Sequence, residues 1–415
     1  MSDYLISVGK KAKKASYETV ILDTKIINDA LMMMAEKIEQ EKTSIIAENA
    51  KDVEAAKSKL DNVMLDRLTL TEARVQDLAD NLRLVARLES PLNKVEYSYQ
   101  SLKGFRVRNI SVPLGVILMI YEARPNVTIE AMSLSLKSGN AIILRGSSST
   151  LNTNKKLVEL VSNVGKEVGL PDNFVQLIET TSYDDVTNLV KMNDYIDVVI
   201  PRGGAKLIQN VVTNATVPII ETGVGNNFAY VDASAEYKKA VEVIVNAKAH
   251  RVTVCNSLEK VLIHKDVAQE FITELEKQLK ASNVEIRAHK NIIDRFSDVN
   301  EFSDDELSLE YLNYIIGIKE VSSIDEAIEI INEYSTKHSN IILSTSFYDI
   351  EKFTKQIDSA CVFVNVSSRF SDGVEFGLGS EIGISTQKLH ARGPMGLKAL
   401  TTTKSIIVGE YEIKE

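Results

Sequence analysis

The chain has 415 residues, 44% apolar and 26% charged. That usage excludes a disordered, collagenous or coiled-coil protein, and at roughly 150 residues per domain it predicts two or three lobes. Lys and Arg total 48 against 58 Asp and Glu, a net charge of −10, which argues against nucleic acid as a partner but leaves room for a local basic pocket.

The longest uncharged, mostly apolar run, Val112 to Ile120, is far short of the roughly 20 residues that span a bilayer. The charges in the opening MSDYLISVGKKAKKAS leave no apolar core for a secretory signal, so a cytoplasmic enzyme with no membrane partner is expected. Cys255 and Cys361 cannot frame a disulfide scaffold, and with five His they do not suggest a zinc cluster; no metal is expected.

The first ninety residues are helical in pattern. Ile27, Leu31, Met34 and Ile38 recur at three- and four-residue spacing. A further helix is predicted from Thr71, which caps it, with Val75, Leu78, Leu82 and Val85 as its buried face. At Phe105–Ile110 apolar and basic residues alternate, as in a half-exposed strand or hairpin. Strands and helices then take turns: strand Val116–Ile120, helix Val127–Lys137 closed by Gly139, strand Ala141–Leu144, helix Thr150–Glu167, and strand Val175–Ile178. A helix around Asp184–Met192, a strand at Asp197–Ile200 and a helix after Gly203-Gly204 complete the series. Short apolar strands separated by helices mean parallel βαβ units, an α/β sheet of the nucleotide-binding kind.

A second α/β stretch runs from about Asn227 to Ser371, with helices at Ala235–Lys248 and Val267–Lys280 around a strand at Lys260–Ile263. Between Ala281 and Leu309 the pattern weakens and acid accumulates, which predicts an irregular surface segment. Ile406–Val408, followed by Tyr411 and Ile413 alternating with Glu410 and Glu412, reads as a strand in need of a neighbour.

Four groups of residues have the composition that chemistry needs. Cys255, in NAKAHRVTVCN, follows an amphipathic helix, and Lys248, His250 and Arg251 place positive charge close by in sequence, which favours a thiolate; the alternative is a packing cysteine, which is how Cys361 in its apolar strand reads. Asn126, in YEARPN, stands where a strand opens into a helix and either donates its amide to an oxyanion or caps the helix. The loops Arg145-Gly-Ser-Ser-Ser-Thr150 and Pro201-Arg-Gly-Gly-Ala-Lys206 each offer backbone N–H groups and a cation at a helix start, as phosphate requires, or are plain turns. The ending STQKLHARGPMG, with Lys388, His390 and Arg392, suits an anionic ligand or a solvated loop.

Taken together and in order, VPLGVILMIYEARPNVT, IPRGGAKLI, IIETGVG, NAKAHRVTVCN and FGLGSEIGISTQKLHARGPMGL resemble the gamma-glutamyl phosphate reductases of proline biosynthesis, a branch of the aldehyde dehydrogenase superfamily. The resemblance covers essentially the whole chain; YEARPN and STQKLHARGPMG are particular to this branch. It implies an aldehyde-dehydrogenase-like α/β fold. A Rossmann-type NADP-binding domain would take residues 1–95 and 114–226, with 372–391 returning to it. A catalytic domain would take 227–371, and a small β oligomerisation arm 96–113 and 392–415.

The resemblance also assigns roles. Cys255 is the acyl-accepting nucleophile, and Asn126 with the Cys255 N–H forms the oxyanion hole. Arg145 stands where related dehydrogenases carry a lysine at the cofactor ribose, so its fork favours NADPH over NADH. Gly146 and Ser147, with Arg202, Gly203 and Gly204, belong to the cofactor loops, and Glu310 to the nicotinamide ribose. Arg251, His390 and Arg392 are candidates for the substrate's phosphate and carboxylate.

The implied reaction is NADPH-dependent reduction of glutamyl phosphate to the semialdehyde through a thioacyl enzyme, by a homodimer or higher homo-oligomer, with glutamate 5-kinase a possible partner. Glu221 matches the base of hydrolytic aldehyde dehydrogenases, so a hydrolytic NAD(P)-dependent enzyme is the alternative; a silent scaffold that keeps the fold is a third reading. The sequence departs from many relatives at Gly225-Asn-Asn-Phe228, where a cysteine–histidine pair would be expected.

Overall fold

The computed structural model describes residues 2–414. Its contacts separate two units, the first made of Met1–Thr222, Gly377–Gly383 and Met395–Glu415 and the second of Gly223–Phe376 and Ile384–Pro394. The segment 372–391 is therefore divided between them.

The first unit opens with five helices, α1 (Asp3–Thr19), α2 (Thr24–Gln40), α3 (Lys42–Ala56), α4 (Asn62–Leu68) and α5 (Glu72–Arg87). The α2 stripe Ile27, Leu31, Met34 and Ile38 is buried, as are Val75, Leu78, Leu82 and Val85 of α5. Thr71 caps α5 by accepting the Arg74 N–H. A hairpin of β1 (Val95–Gln100) and β2 (Arg106–Pro113) follows, then β3 (Val116–Tyr121), α6 (Asn126–Lys137), β4 (Ala141–Arg145) and α7 (Leu151–Glu167). The βαβ series ends with β5 (Val175–Leu177), α8 (Tyr183–Leu189), β6 (Val198–Arg202) and α9 (Ala205–Asn214).

Strands β3 to β6 form a parallel sheet in the order β5-β4-β3-β6. Every residue of β3 and β4 is buried, which is why these strands read as continuous apolar runs rather than alternating ones. Gly139, at φ +76°, ends α6 in the left-handed turn that a residue without Cβ adopts cheaply.

The second unit contains β7 (Asn227–Val231), α10 (Tyr237–Ala249), β8 (Leu258–His264), α11 (Gln269–Ala281), β9 (Glu285–His289) and β10 (Asn300–Phe302). It continues with β11 (Ile315–Val321), α12 (Ile324–Tyr334), β12 (Ser339–Leu343), α13 (Phe347–Gln356) and β13 (Cys361–Val364). All seven strands run parallel in the order β10-β9-β11-β8-β7-β12-β13.

The segment between Ala281 and Leu309 is thus not an irregular surface stretch. It supplies β9 and the edge strand β10, and Ile286, Ala288, Ile292, Phe302 and Leu307 are buried. Strands of five and three residues are too short to show a period. A two-residue pair, β14 (Ile384–Ser385) with β15 (Gly393–Pro394), brackets the His390 loop.

The last strand, β16 (Thr401–Val408), joins β2 and β1 in an antiparallel sheet grouped with the first unit. The strand expected over the chain end is shifted: it begins at Thr401 and stops at Val408, leaving Tyr411 and Ile413 exposed. Val408 pairs with Arg106, the first residue of β2, so the ladder ends because its partner does. Among the described residues, no helix is long and apolar enough to cross a membrane.

Candidate active site

In the first unit β4, β3 and β6 are neighbours, and their carboxyl ends lead into the three stretches singled out in the sequence. This is where open α/β sheets hold ligands. Asn126 is the first residue of α6, and it does not act as its cap. The cap position is Pro125, and the Asn126 Nδ2 donates to Glu130 Oε1 at 2.8 Å.

Arg145, 8% exposed, donates from its terminal nitrogens to the carbonyls of Gly146, Thr181 and Ser182 at 3.1–3.3 Å. Its buried Nε has no hydrogen-bond partner. Gly146 is required by packing, since a Cβ there would lie 2.3 Å from Asn154 Nδ2. Ser147 accepts the Ser149 N–H and opens a single 3₁₀ turn before α7.

Arg202 donates to the Ile382 carbonyl at 2.9 Å. Gly203 and Gly204 open α9, and the Gly204 N–H donates to Glu122 Oε2 at 2.9 Å. Glu122 lies inside the YEARPN motif, yet nothing in its local context assigns it a role. Its carboxylate is drawn to the partial positive charge at the helix start.

For a dinucleotide, the start of α9 at the exposed residues Ala205 and Lys206 and the unpartnered Arg145 Nε are donors of the kind its phosphates require. These residues fit the group. Glu122, and Asp185 beside Arg145, are opposed to an anion. Glu221 is half-buried in the same unit.

In the second unit Cys255 is half-buried in the turn between α10 and β8. This turn lies at the amino ends of the adjacent strands β7, β8 and β12. Asn227, the fully buried first residue of β7, donates from Nδ2 to the carbonyls of Cys255 and Ser257 at 2.8 and 2.7 Å. Its Oδ1 accepts the N–H of Ser339, the first residue of β12, at 2.9 Å.

The Cys255 carbonyl is packed against Gly225 so closely that a Cβ there would lie 1.5 Å from it. The Gly225 N–H in turn donates to Glu310 Oε1 at 2.7 Å. Glu310 is thereby tied to the backbone beneath the Cys255 turn. Asn226 donates to the carbonyls of Leu307 and Tyr334 and accepts from Lys260. The two asparagines that replace the expected cysteine–histidine pair are therefore structural fasteners.

The positive field around the thiol differs from the one its near neighbours in sequence suggest. Lys248 is fully buried and paired with Glu259 at 3.0 Å. Burial pushes the lysine down and the glutamate up, while each supports the other's charge. Lys248 is thus spent, and the expectation that it polarises Cys255 is corrected.

Arg369 takes that place, carried on a 3₁₀ turn (Ser368–Phe370) after β13. Its Nε donates to His250 Nδ1 at 3.4 Å. Burial and the repulsion of Arg251 pull its pKa down, whereas Cys255 and Asp372 act in the opposite sense. No spacing rule could have found Arg369, which lies 114 positions beyond Cys255 in the chain.

His390 is exposed at φ +68° in the loop between β14 and β15. Arg392 pairs with Asp358 at 2.9 Å, a carboxylate shared with Lys337 and Lys388. Although burial acts to raise it, these three cations hold the Asp358 carboxyl well below the usual carboxylate range. Cys361 is buried at the start of β13, where Ser371 Oγ donates to its sulfur at 3.5 Å. The second unit thus brings Arg251, Arg369 and Glu310 around the Cys255 turn and sets Arg392 in a separate cluster.

Residues 8–292 match the model of the aldehyde dehydrogenase family. The chain is 49% identical, over 411 residues and 99% of each sequence, to a gamma-glutamyl phosphate reductase of Clostridium botulinum (strain Alaska E43 / Type E3). It is 42% identical to the gamma-glutamyl phosphate reductase of Thermotoga maritima, whose crystal structure it matches with a TM-score of 0.96 over 100% of both chains. An engineered glycolyl-CoA reductase with bound NADP+ shares the fold at a TM-score of 0.70 and 16% identity, over 97% of this chain and 96% of that one.

Proposed function

The chain belongs to the gamma-glutamyl phosphate reductases of the aldehyde dehydrogenase family, and on that premise we propose that it reduces L-glutamate 5-phosphate to L-glutamate 5-semialdehyde and phosphate, with NADPH, in proline biosynthesis. The observation that carries the reading furthest is the Cys255 turn, fastened by Asn227 and Gly225 and accompanied by Arg251 and Arg369.

The Cys255 thiolate attacks the acyl carbon of the substrate. Nearby positive charge favours the thiolate form of a cysteine. Asn126, whose amide is not consumed as a helix cap, and the Cys255 N–H donate to the oxyanion that forms. The oxyanion collapses, phosphate leaves, and the acyl group remains on sulfur as a thioester, so one hard step becomes two easier ones.

When bound, a nicotinamide dinucleotide would supply the hydride. Arg145 would hold its 2′-phosphate, the Gly146–Ser147 and Arg202–Gly204 loops its pyrophosphate, and Glu310 its nicotinamide ribose. Preference for NADPH over NADH rests on the fork of Arg145, with Nε left to donate. Arg251, His390 and Arg392 remain the candidates for the substrate's anionic groups, with Arg392 already compensated by Asp358.

A homodimer or higher homo-oligomer is supported by the β1-β2-β16 sheet. It exposes Val95, the stacked pair Tyr97 and Tyr99, Ile407 and Val408, more apolar surface than a strand edge normally leaves in water. The lability of an acyl phosphate favours direct supply by a glutamate 5-kinase, and co-purification of the two proteins is the test. The reading places the enzyme in the cytoplasm.

The test of the reaction is oxidation of glutamate semialdehyde with NADP, with and without phosphate, run in parallel on Cys255→Ser. Strict phosphate dependence, abolished in the variant, is expected. Oxidation without phosphate, yielding glutamate, would instead assign Glu221 the water-activating role of a hydrolytic enzyme. Near-full turnover by Cys255→Ser would remove the cysteine from the mechanism.

A further inference from the structure

We propose that Arg369, together with Arg251, forms the phosphate subsite of this active site, holding the leaving group in reduction and inorganic phosphate in the reverse reaction. The inference rests on the reading above and adds to it a residue that neither composition nor spacing marked.

Three features carry it. The turn bearing Arg369 is clipped to the residue next to the nucleophile: Asn256 Nδ2 donates to the carbonyls of Ser371 and Arg369 at 2.7 and 3.4 Å, and Ser368 Oγ donates to the Asn256 carbonyl at 2.7 Å. The main chain carrying Arg369 is thus anchored next to Cys255 by the Asn256 and Ser368 side chains, whatever the Arg369 side chain does. The Arg369 side chain reaches His250, the residue that closes α10 and precedes Arg251.

Among the described residues, neither Arg251 nor Arg369 makes an ion pair with a carboxylate. Asp372 attracts Arg369 without pairing with it, and two arginines held near one another with no carboxylate in ion-pair contact are costly unless a ligand supplies more charge; a phosphate dianion supplies two. By contrast, Arg392 shares Asp358 with two lysines and has no such deficit.

The chemistry also selects the phosphate end of the substrate. The oxygen carried by phosphorus is bonded to the acyl carbon that sulfur attacks, whereas the α-carboxylate lies three methylene or methine carbons further along. As the Cys255 sulfur–carbon bond forms and the oxyanion collapses, the carbon–oxygen bond to the phosphoryl group breaks, and its electron pair leaves with phosphate. Cations beside the sulfur are placed to receive that charge.

The experiment measures the reverse reaction on wild type, Arg369→Gln, Arg369→Lys and Arg251→Gln, varying phosphate at saturating semialdehyde and varying semialdehyde at saturating phosphate. Arg369→Gln is expected to raise the apparent KM for phosphate about 10-fold or more, the scale of one charge-assisted bond, with that for semialdehyde within twofold; Arg369→Lys recovers part of the loss. A second readout needs no turnover: alkylation of Cys255, followed by peptide mapping, with iodoacetate against neutral iodoacetamide. Wild type is expected to favour iodoacetate and to be protected by inorganic phosphate, and Arg369→Gln to lose both.

An unchanged phosphate KM with an unchanged alkylation ratio overturns the subsite. So does a rise confined to the semialdehyde KM, which would place the substrate's carboxylate there. Should Arg369→Gln fail to fold, exposed Arg251 carries the same test. Survival of activity in Cys255→Ser would overturn the nucleophile instead, so the two failures are distinguishable.

Discussion

The two units build their sites in opposite ways. In the first, the loops expected to meet a cofactor leave the carboxyl ends of β3, β4 and β6, and the residues at the start of α9 are exposed. In the second, Cys255, the proposed nucleophile, sits at the amino ends of β7, β8 and β12, and the carbonyls of its turn are taken up by the buried Asn227 amide. A ligand that comes and goes needs donors left open to it. A residue that forms and breaks a covalent bond needs a backbone that does not move, because small misplacements of the reacting atoms are expensive.

The sharpest way to break this contrast is Gly225→Ala. A methyl 1.5 Å from the Cys255 carbonyl cannot be absorbed by rotating a side chain. The expected result is loss of at least about 3 kcal/mol of stability, the upper range for backbone and overpacking strain, with activity near background. A near-normal melting temperature and rate would show the turn to be looser than its packing indicates.

Asn126→Ala comes next and acts on the first unit. Removing one oxyanion donor typically costs about 10²–10³ in kcat, and since Asn126 caps no helix, thermal stability should be preserved. A large drop in Tm with little change in kcat would assign it a structural role after all.

A smaller effect tests the rigidity of the second unit through pH. His338, at the base of β12, is fully buried, and burial pushes its pKa down from 6.5 to about 4. The unfolded chain therefore binds a proton at a higher pH than the folded one. Stability is complete above about pH 6.5 and is lost as the pH falls toward about 4, by an amount on the order of 3 kcal/mol. Denaturant titrations from pH 7 to 4.5 on wild type and His338→Asn should show a shallower slope in the variant. Equal slopes would remove His338 from the acid response.

The smallest effect returns to the open side of the comparison. Glu122 places a carboxylate on the Gly204 N–H, so Glu122→Gln should tighten binding of the dinucleotide. A charge at a helix end is worth about 0.3–1 kcal/mol, which predicts a two- to fivefold fall in the Kd for NADP by fluorescence titration. Weaker binding would show that Glu122 helps to hold the cofactor.

The same contrast explains what could be read in the sequence. Helices with a clean stripe, such as α2 and α5, and strands buried on both faces, such as β3 and β4, announce themselves by period and by run length. Cys255 and Asn126 were visible because their motifs are contiguous. β9 and β10 were missed because strands of five and three residues are too short to carry a period. Arg369 was missed, and Lys248 over-read, for one reason: nearness in sequence stood in for nearness in space. The lysine turns inward to Glu259, while the arginine arrives from a distant turn.

The side chains that fasten the Cys255 turn directly are the amides of Asn227 and Asn256, and amides carry no net charge. Over one catalytic cycle the sulfur above them would pass from anion to neutral thioester and back. A frame of ions would feel each change and relax with it, and its geometry would vary with salt. A frame of neutral dipoles gives the reaction a floor that stays level while the charge above it is spent and restored.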